Sequence, residues 1–291
     1  MASQYLSGLI IPAPKAVRSG IKMLLSYLQG IEFAKDRFAQ PPAFTNVPIG
    51  ETNPLLSYFS SHTDGPGIWK FHHYFDVYHT LFSRFVGKNV RLMEVGICGG
   101  GSLQMWREYL GPKAHVYGVD VEPACSAYQA KQIEILIGDQ GDRAFWQQVK
   151  ATIPKIDILI DDGSHIPEHQ KITFEEMIPH LNPGGLYLCE DIQGMANSFA
   201  GYLYGLVAAL NSGQESEFVK TIDSIHFYPF IGVVRKRSTP RQSLQVERRG
   251  TEWPTYMRRY WPQEFTLDGS WTGPVAAAPT DQAGPSAKGE P

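Results

Sequence analysis

The sequence predicts an α/β fold: a seven-stranded, mostly parallel sheet with helices on both faces, an antiparallel hairpin at the C-terminal edge and an extra helical or lid segment at the N-terminus. Three observations carry this expectation. The run Ile156-Asp157-Ile158-Leu159-Ile160-Asp161-Asp162-Gly163-Ser164-His165 is apolar and then abruptly acidic, as expected of a buried parallel strand whose last side chains enter a crevice. Gly185-Leu186-Tyr187-Leu188-Cys189-Glu190-Asp191 repeats the design. Third, Val90 to Gly96 reads as a strand opening into Gly96-Ile97-Cys98-Gly99-Gly100-Gly101-Ser102, and helical periodicity follows from Leu103 to Leu110.

Taken in order, residues 15 to 39 place Ile21, Leu24, Leu25, Leu28 and Ile31 at helical spacing among Lys15, Arg18 and Lys22, which predicts an amphipathic helix. Such a helix can lie on a membrane, but packing on its own domain is the favoured reading. Proline, glycine, serine and threonine dominate from Gln40 to Gly67, so a loop or lid is expected there. A helix is expected from near Trp69, with Phe71, Tyr74, Phe75, Tyr78, Leu81 and Phe82 mostly in the core. His72 and His73 are neighbours and point to different helix faces, so they read as structural or substrate-lining rather than as a metal pair. His115 to Asp120 is the second strand and Ile133 to Ile137 the third, the latter ending in Gly138-Asp139-Gln140. Phe145 and Trp146 begin a helix, and Glu168 to His180 forms the crossover, stopped by Asn182-Pro183-Gly184-Gly185. Asn197 to Leu210 is helical, and Ile222 to Val234, broken at Pro229, is the edge hairpin. The expected organisation is an N-terminal helix and lid over 1–69, a core over 70–237, an extension over 238–272 and a disordered tail over 273–291.

The chemistry follows from the strand tips. Acids at strand ends also cap helices or face water, but as a set Asp162, Glu190 and Asp191 would put three oxygen ligands on one rim. A hard divalent cation such as magnesium suits them. His165, just past the strand, is a plausible base for a hydroxyl held there. Glycines between strand and helix let a ligand approach the backbone closely. Glu94 beside them would repel a pyrophosphate and suits the sulfonium and ammonium of S-adenosylmethionine. Asp120, about twenty residues on, falls where such folds hold ribose hydroxyls. Asp139 and Gln140 are placed to meet an adenine edge.

Composition narrows the alternatives. A formal net charge of −3 gives no electrostatic case for a nucleic-acid partner. Hydrophobic content of 43% and charged content of 19% describe an ordinary soluble protein. No stretch reaches the roughly 18 apolar residues needed to span a bilayer. The opening Tyr5 to Ile11 lacks a preceding basic residue and is followed by Pro12 and Pro14, so it is not read as a signal peptide. Cys98, Cys125 and Cys189 are too irregularly spaced for a zinc knuckle and suit a reducing cytoplasm.

With these residues placed, the chain resembles the class I S-adenosylmethionine-dependent methyltransferases, which are Rossmann-like. More narrowly, it is similar to the metal-dependent macrolide sugar O-methyltransferases of the mycinamicin and macrocin type and to the related cephalosporin hydroxylase group. The resemblance covers roughly residues 70 to 237. It rests on Glu94-Val95-Gly96 with Gly99-Gly100-Gly101-Ser102-Leu103, Tyr117-Gly118-Val119-Asp120, Gly138-Asp139-Gln140, Asp161-Asp162-Gly163-Ser164-His165 and Glu190-Asp191. The glycine loop is common to the whole superfamily, whereas the Asp-Gly-Ser-His and Glu-Asp motifs are much narrower. The resemblance implies Mg2+ on Asp162, Glu190 and Asp191, with His165 as general base. It implies cofactor contacts at Glu94, Gly96, Ser102, Asp120, Asp139, Gln140 and Asp161. It further implies a small hydroxyl-bearing acceptor, a sugar or natural product, and a homo-oligomer. A non-catalytic binding or scaffold protein is the alternative; a nicotinamide oxidoreductase is disfavoured by Glu94 and by the glycine spacing.

Overall fold

The computed structural model describes residues 15–37, 53–193 and 196–242. The expectations for residues 1–14, 38–52 and 243–291 lie outside the described residues. Residues 1–51 and the compact unit that begins at Thr52 are separate bodies. In the first, α1 (Lys15–Arg37) is helical where the apolar spacing placed a helix. No described helix is long and apolar enough to cross a membrane.

The second body opens on α2 (Pro54–Ser61), inside the stretch expected to be a loop or lid. Its start is locally encoded. The Asn53 side chain accepts the backbone N–H groups of Leu55 and Leu56, and Pro54 occupies the first turn, where a missing N–H is harmless. Composition concealed the helix because proline and serine also favour helix starts. Leu55 is fully buried against the same cluster as Phe75, Tyr78 and Trp106, inside the compact unit that begins at Thr52. After it comes α3 (His72–Phe82), three residues later than expected, with Trp69 outside the helix and almost wholly exposed.

Next in the chain come β1 (Arg91–Val95), α4 (Gly101–Leu110), β2 (His115–Asp120), β3 (Ile133–Ile137), α5 (Arg143–Thr152), β4 (Ile156–Asp161) and α6 (Pro167–Met177). They are followed by β5 (Leu181–Cys189), α7 (Ser198–Leu210), α8 (Glu217–Thr221), β6 (Ile222–Tyr228) and β7 (Ile231–Lys236). Regular helix ends at Met177, ahead of the expected His180, because Pro179 has no amide hydrogen to continue the ladder; a single tight turn, Ile178–His180, bridges to β5. The sheet order is β3-β2-β1-β4-β5-β7-β6. The strands are parallel except β7, which runs antiparallel to both its neighbours. The seven strands and the edge hairpin are thus as the sequence predicts.

Period-two alternation divides the core between the two faces of the sheet. Leu92, Ile158, Ile160, Leu186, Leu188 and Val233 face α2, α3 and α4, whereas Met93, Val95, Leu159, Tyr187 and Cys189 face α5, α6 and α7. Strand order reverses between β1 and β4, which opens a crevice at their C-terminal ends. Register pairs Val95 with Asp161 and Asp161 with Cys189. The tips Gly96, Asp162 and Glu190 therefore follow one another along a single edge of the sheet.

If α2 belongs to the core rather than to a lid, Leu55→Ala should lower unfolding stability by about 2–5 kcal/mol, the range for emptying a packed leucine site. Urea denaturation measures it; a change below about 0.5 kcal/mol is what an exposed, mobile segment would give.

Candidate functional site

A cavity of about 1180 Å³ opens over these strand tips. One end is lined by the glycine loop, Asp120 and Asp139, the other by Asp162, His165, Glu190 and Asp191. Two glycines make this packing possible. Gly96 has φ +83°, and a Cβ there would lie 2.1 Å from the Asp162 carbonyl oxygen, so β1 and β4 can cross this closely only without a side chain. A Cβ on Gly101 would lie 2.2 Å from the Pro66 carbonyl oxygen, and the Gly101 N–H donates to the Gly67 carbonyl at 3.2 Å. The segment leading into α3 is thereby held against the start of α4.

At the cofactor end, Asp120 braces the loop. Its Oδ2 accepts the N–H groups of Ile97 and Cys98, both at 3.1 Å, and its Oδ1 accepts the N–H of Glu122 at 3.0 Å. The Cys125 thiol also lies against this carboxylate. Asp139 lies exposed on the cavity wall, with its Oδ1 accepting the Gly141 N–H at 2.7 Å. Gln140 also lines the cavity, but its amide is consumed internally. Nε2 donates to Asp161 Oδ1 and Thr173 Oγ1, each at 3.0 Å, and Oε1 accepts the Ser164 N–H at 2.5 Å. Asp161 is not among the cavity-lining residues. It is fully buried, with Oδ1 taken by Gln140 and Oδ2 accepting the Tyr187 hydroxyl at 3.0 Å. Alternation along β4 turns Asp161 away from the face its neighbour serves, and the pair Gln140 and Asp161 braces the loop that carries Ser164 and His165.

Glu94 and Ser102 form the floor. Glu94 Oε2 accepts the Ser102 hydroxyl at 2.6 Å and the Trp106 indole N–H at 3.1 Å. Its Oε1 is buried, accepts no hydrogen bond, and faces Lys70 Nζ at 3.3 Å. The cation that Glu94 meets within the chain is thus a lysine that sequence reading passed over. The Lys70 side chain is 4% exposed, and its ammonium also contacts Asp162 Oδ2 and both oxygens of Glu190, at 3.3 and 3.1 Å. Burial alone would lower the Lys70 pKa, but Glu190, Glu94 and Asp162 outweigh it and hold the proton on well above the ordinary lysine range. Burial likewise pushes the Asp162 and Glu190 carboxyls upward, with Lys70 pulling the other way.

Two tyrosines complete the acidic end. The Tyr78 hydroxyl donates to Glu190 Oε1 at 2.5 Å, and the Tyr74 hydroxyl donates to Asp191 Oδ1 at 2.6 Å. Burial first, then the adjacent carboxylates, raise both phenol pKa values, so these groups stay proton donors. Sequence reading assigned both rings to the core, and the rings are buried; it missed that their hydroxyls reach the site. His165 and Asp191 both adopt left-handed backbone conformations, φ +55° and +57°. Asp and His are among the residues that tolerate this region best. His165 Nε2 lies 3.6 Å from Asp191 Oδ2. Asp162, His165 and Asp191 each offer a ligand atom, and these atoms lie within 4.8 Å of one another. Of the three expected metal ligands, Asp162 and Asp191 are therefore brought together beside His165, while Glu190 is engaged by Lys70 and Tyr78. His72 packs edge-on to Phe59 and His73 bonds the Pro229 carbonyl, so neither joins the set.

Comparison with known proteins agrees with this architecture. Residues 93–192 match the family model for a methyltransferase domain. The chain is 33% identical over 201 residues to the 8-demethyl-8-α-L-rhamnosyl tetracenomycin-C 2'-O-methyltransferase of Streptomyces olivaceus, covering 60% of this chain and 53% of that protein. It is 35% identical over 150 residues to the mycinamicin VI 2''-O-methyltransferase of Micromonospora griseorubida, covering 49% and 37% respectively. The chain thus spans about half the length of these relatives, or less. Among solved structures, it is similar to the methyltransferase MycE of mycinamycin biosynthesis in complex with Mg, SAH and mycinamycin VI, with a TM-score of 0.54 and 28% identity over 64% of this chain and 53% of that one. The chain thus has the Rossmann-like fold of that class I methyltransferase, and its segment 93–192 is similar to a methyltransferase domain.

Proposed function

We propose that the protein is an O-methyltransferase that moves the methyl group of S-adenosylmethionine to a hydroxyl of a sugar or other natural-product acceptor, with a divalent cation and His165 assisting. The observation that carries this reading is the convergence of Asp162, His165 and Asp191 within 4.8 Å at one end of a cavity whose other end is a glycine loop braced by Asp120. The relatives named above act, by name, on sugar hydroxyls of rhamnosyl tetracenomycin and mycinamicin.

The residues suit both groups. Gly96, Ile97, Cys98 and Gly99 line the cavity, which offers loop main chain for an adenosyl ligand to lie against. At the other end, three carboxylates (Glu94, Asp162, Glu190) contact a single ammonium and Asp191 bonds Tyr74 beside them, so carboxyl groups outnumber the cations the chain supplies there. The carboxylate oxygens of Asp162 and Asp191 are hard donors of the kind magnesium or manganese accepts. When bound, the cation would lower the proton affinity of an acceptor hydroxyl, and S-adenosylmethionine would supply the electrophilic methyl. Asp162 and Asp191 would hold the cation, with Glu190 behind them. His165, steadied by Asp191 at 3.6 Å, would take the hydroxyl proton at its free ring nitrogen. The Tyr74 hydroxyl fixes Asp191 Oδ1 and leaves Oδ2 toward the imidazole. Trp69 and Phe71, exposed on the cavity wall, would shield the acceptor from water. The reading extends to a homo-oligomer, and to a reducing cytoplasm, with which the free thiols of Cys98, Cys125 and Cys189 are compatible.

A second reading, a non-catalytic cofactor-binding or scaffold protein on the same fold, draws on Lys70, whose ammonium already sits among the acids. Product formation separates the two. Incubation with S-adenosylmethionine labelled in the methyl group and deoxysugar-bearing polyketides should yield labelled ether products by mass spectrometry; cofactor binding with no labelled product would favour the scaffold.

Two variants test the division of labour. His165→Ala should lower turnover by about 10²-fold or more, the usual weight of a general base, while S-adenosylhomocysteine affinity measured by calorimetry stays within about threefold; full retention of turnover would remove His165 from the chemistry. Asp120→Ala should instead weaken S-adenosylhomocysteine binding by about tenfold or more, as expected for a lost charged hydrogen-bond partner, and unchanged affinity would take Asp120 out of the cofactor site. In wild-type protein, chelation should abolish activity and added magnesium should restore it.

A further inference from the structure

Lys70 takes no part in the chemistry proposed above, yet its ammonium is almost wholly enclosed among the acids of the cavity. Its ammonium touches Glu94, Asp162 and Glu190, carried by three different strand ends, across sequence separations of 92 residues to Asp162 and 120 to Glu190. The side chain is 4% exposed, whereas its partner Asp162 keeps 18% of its surface open toward the cavity. Glu94 Oε1, buried and without a hydrogen bond, is aimed at the same nitrogen. A lysine that merely closed a surface ion pair would keep its ammonium in water, because desolvating it is costly unless several anions surround it. Lys70 stands on the short segment between Gly67, whose carbonyl accepts the Gly101 N–H, and the start of α3.

We propose that Lys70 is a built-in competitor for the divalent cation: its ammonium occupies the Asp162 and Glu190 side of the acidic cluster and sets how tightly an added ion is held there. The proposal rests on the reading of this cluster as a cation site. A divalent ion drawn to Asp162 must share that carboxylate with the ammonium or displace it, and either arrangement weakens binding relative to a cluster without the lysine. Displacement would also shift the Pro66 to Phe71 segment, which lies against the glycine loop at Gly99 and Gly101. Ion occupancy and cofactor binding are then coupled through one side chain.

The test is calorimetric titration of Mn2+ into metal-free wild type, Lys70→Gln, Lys70→Met and Lys70→Arg, all without cofactor and all checked for folding by circular dichroism. Removing the charge should tighten Mn2+ binding by about tenfold or more, within the range of intersite coupling energies, and Lys70→Arg should stay within about threefold of wild type. Equal or weaker Mn2+ affinity in the neutral variants overturns the proposal, as does absence of binding in all four proteins. Should wild type bind no Mn2+ while Lys70→Gln binds it, the competition stands and the metal-assisted reading of the wild-type enzyme falls. Should Mn2+ support wild-type turnover while the neutral variants show no gain in affinity, the functional reading stands and the competition falls. If the neutral variants fold poorly in metal-free buffer, their melting temperatures with and without Mn2+ give the same decision: a rise larger than in wild type supports the proposal, and an equal or smaller rise refutes it.

Discussion

Four carboxylates meet where β1, β4 and β5 end, and two of them, Glu94 and Glu190, are shut off from water. Like charges this close, in a region of low polarisability, repel strongly and lose their hydration; without compensating cations and donors the cluster could not stay ionised. The chain supplies one ammonium from Lys70, two phenol hydroxyls from Tyr74 and Tyr78, and the Ser102 hydroxyl and Trp106 N–H on Glu94. Much of the remaining architecture serves that compensation. α3 must lie across the strand tips to deliver the tyrosines, and the segment before it must enter the cavity mouth to deliver the lysine. Gly96 and Gly101 must lack side chains so that backbones can close around the site.

The same economy of space explains why donors that a sequence reader assigns to a ligand are turned to internal use. Gln140 ties the tip of β3 to the loop after β4, and Asp161 is held between Gln140 and Tyr187. This second network lies behind the first and stiffens the loop that places His165 at positive φ. Breaking it would misplace the imidazole without touching it. A buried carboxylate with both oxygens satisfied is a brace, and the alternation of side chains along a strand decides which of two adjacent aspartates becomes the brace and which faces the cavity.

Strands and their acidic tips were legible in the sequence because their signal is local: an apolar run, an acid, a glycine. The mostly parallel sheet followed from the regular alternation of strands and helices, and the hairpin from Pro229 between two β-branched runs. What could not be read was pairing over long separations. Nothing around Trp69-Lys70-Phe71 announces that the ammonium will meet carboxylates a hundred residues on, and a tyrosine at helical core spacing looks the same whether or not its hydroxyl ends on an acid. α2 was hidden for a different reason: proline and asparagine mark helix starts as readily as loops, and only the burial of Leu55 decides between them. The fold and the acidic strand tips were thus written in local pattern, and the electrostatic balance that makes them compatible was written in tertiary structure.

The relatives that share this architecture include an enzyme solved with magnesium and S-adenosylhomocysteine, and the cavity described here has a place of suitable chemistry for each. Anomalous diffraction from crystals grown with Mn2+ and S-adenosylhomocysteine bears most directly on the central claim. A manganese peak in coordination distance of Asp162 and Asp191, with the adenosyl group along the Gly96 to Gly101 loop, is the predicted result. A cavity that holds the nucleoside but shows no manganese near those carboxylates, with the Lys70 ammonium still among them, would contradict it.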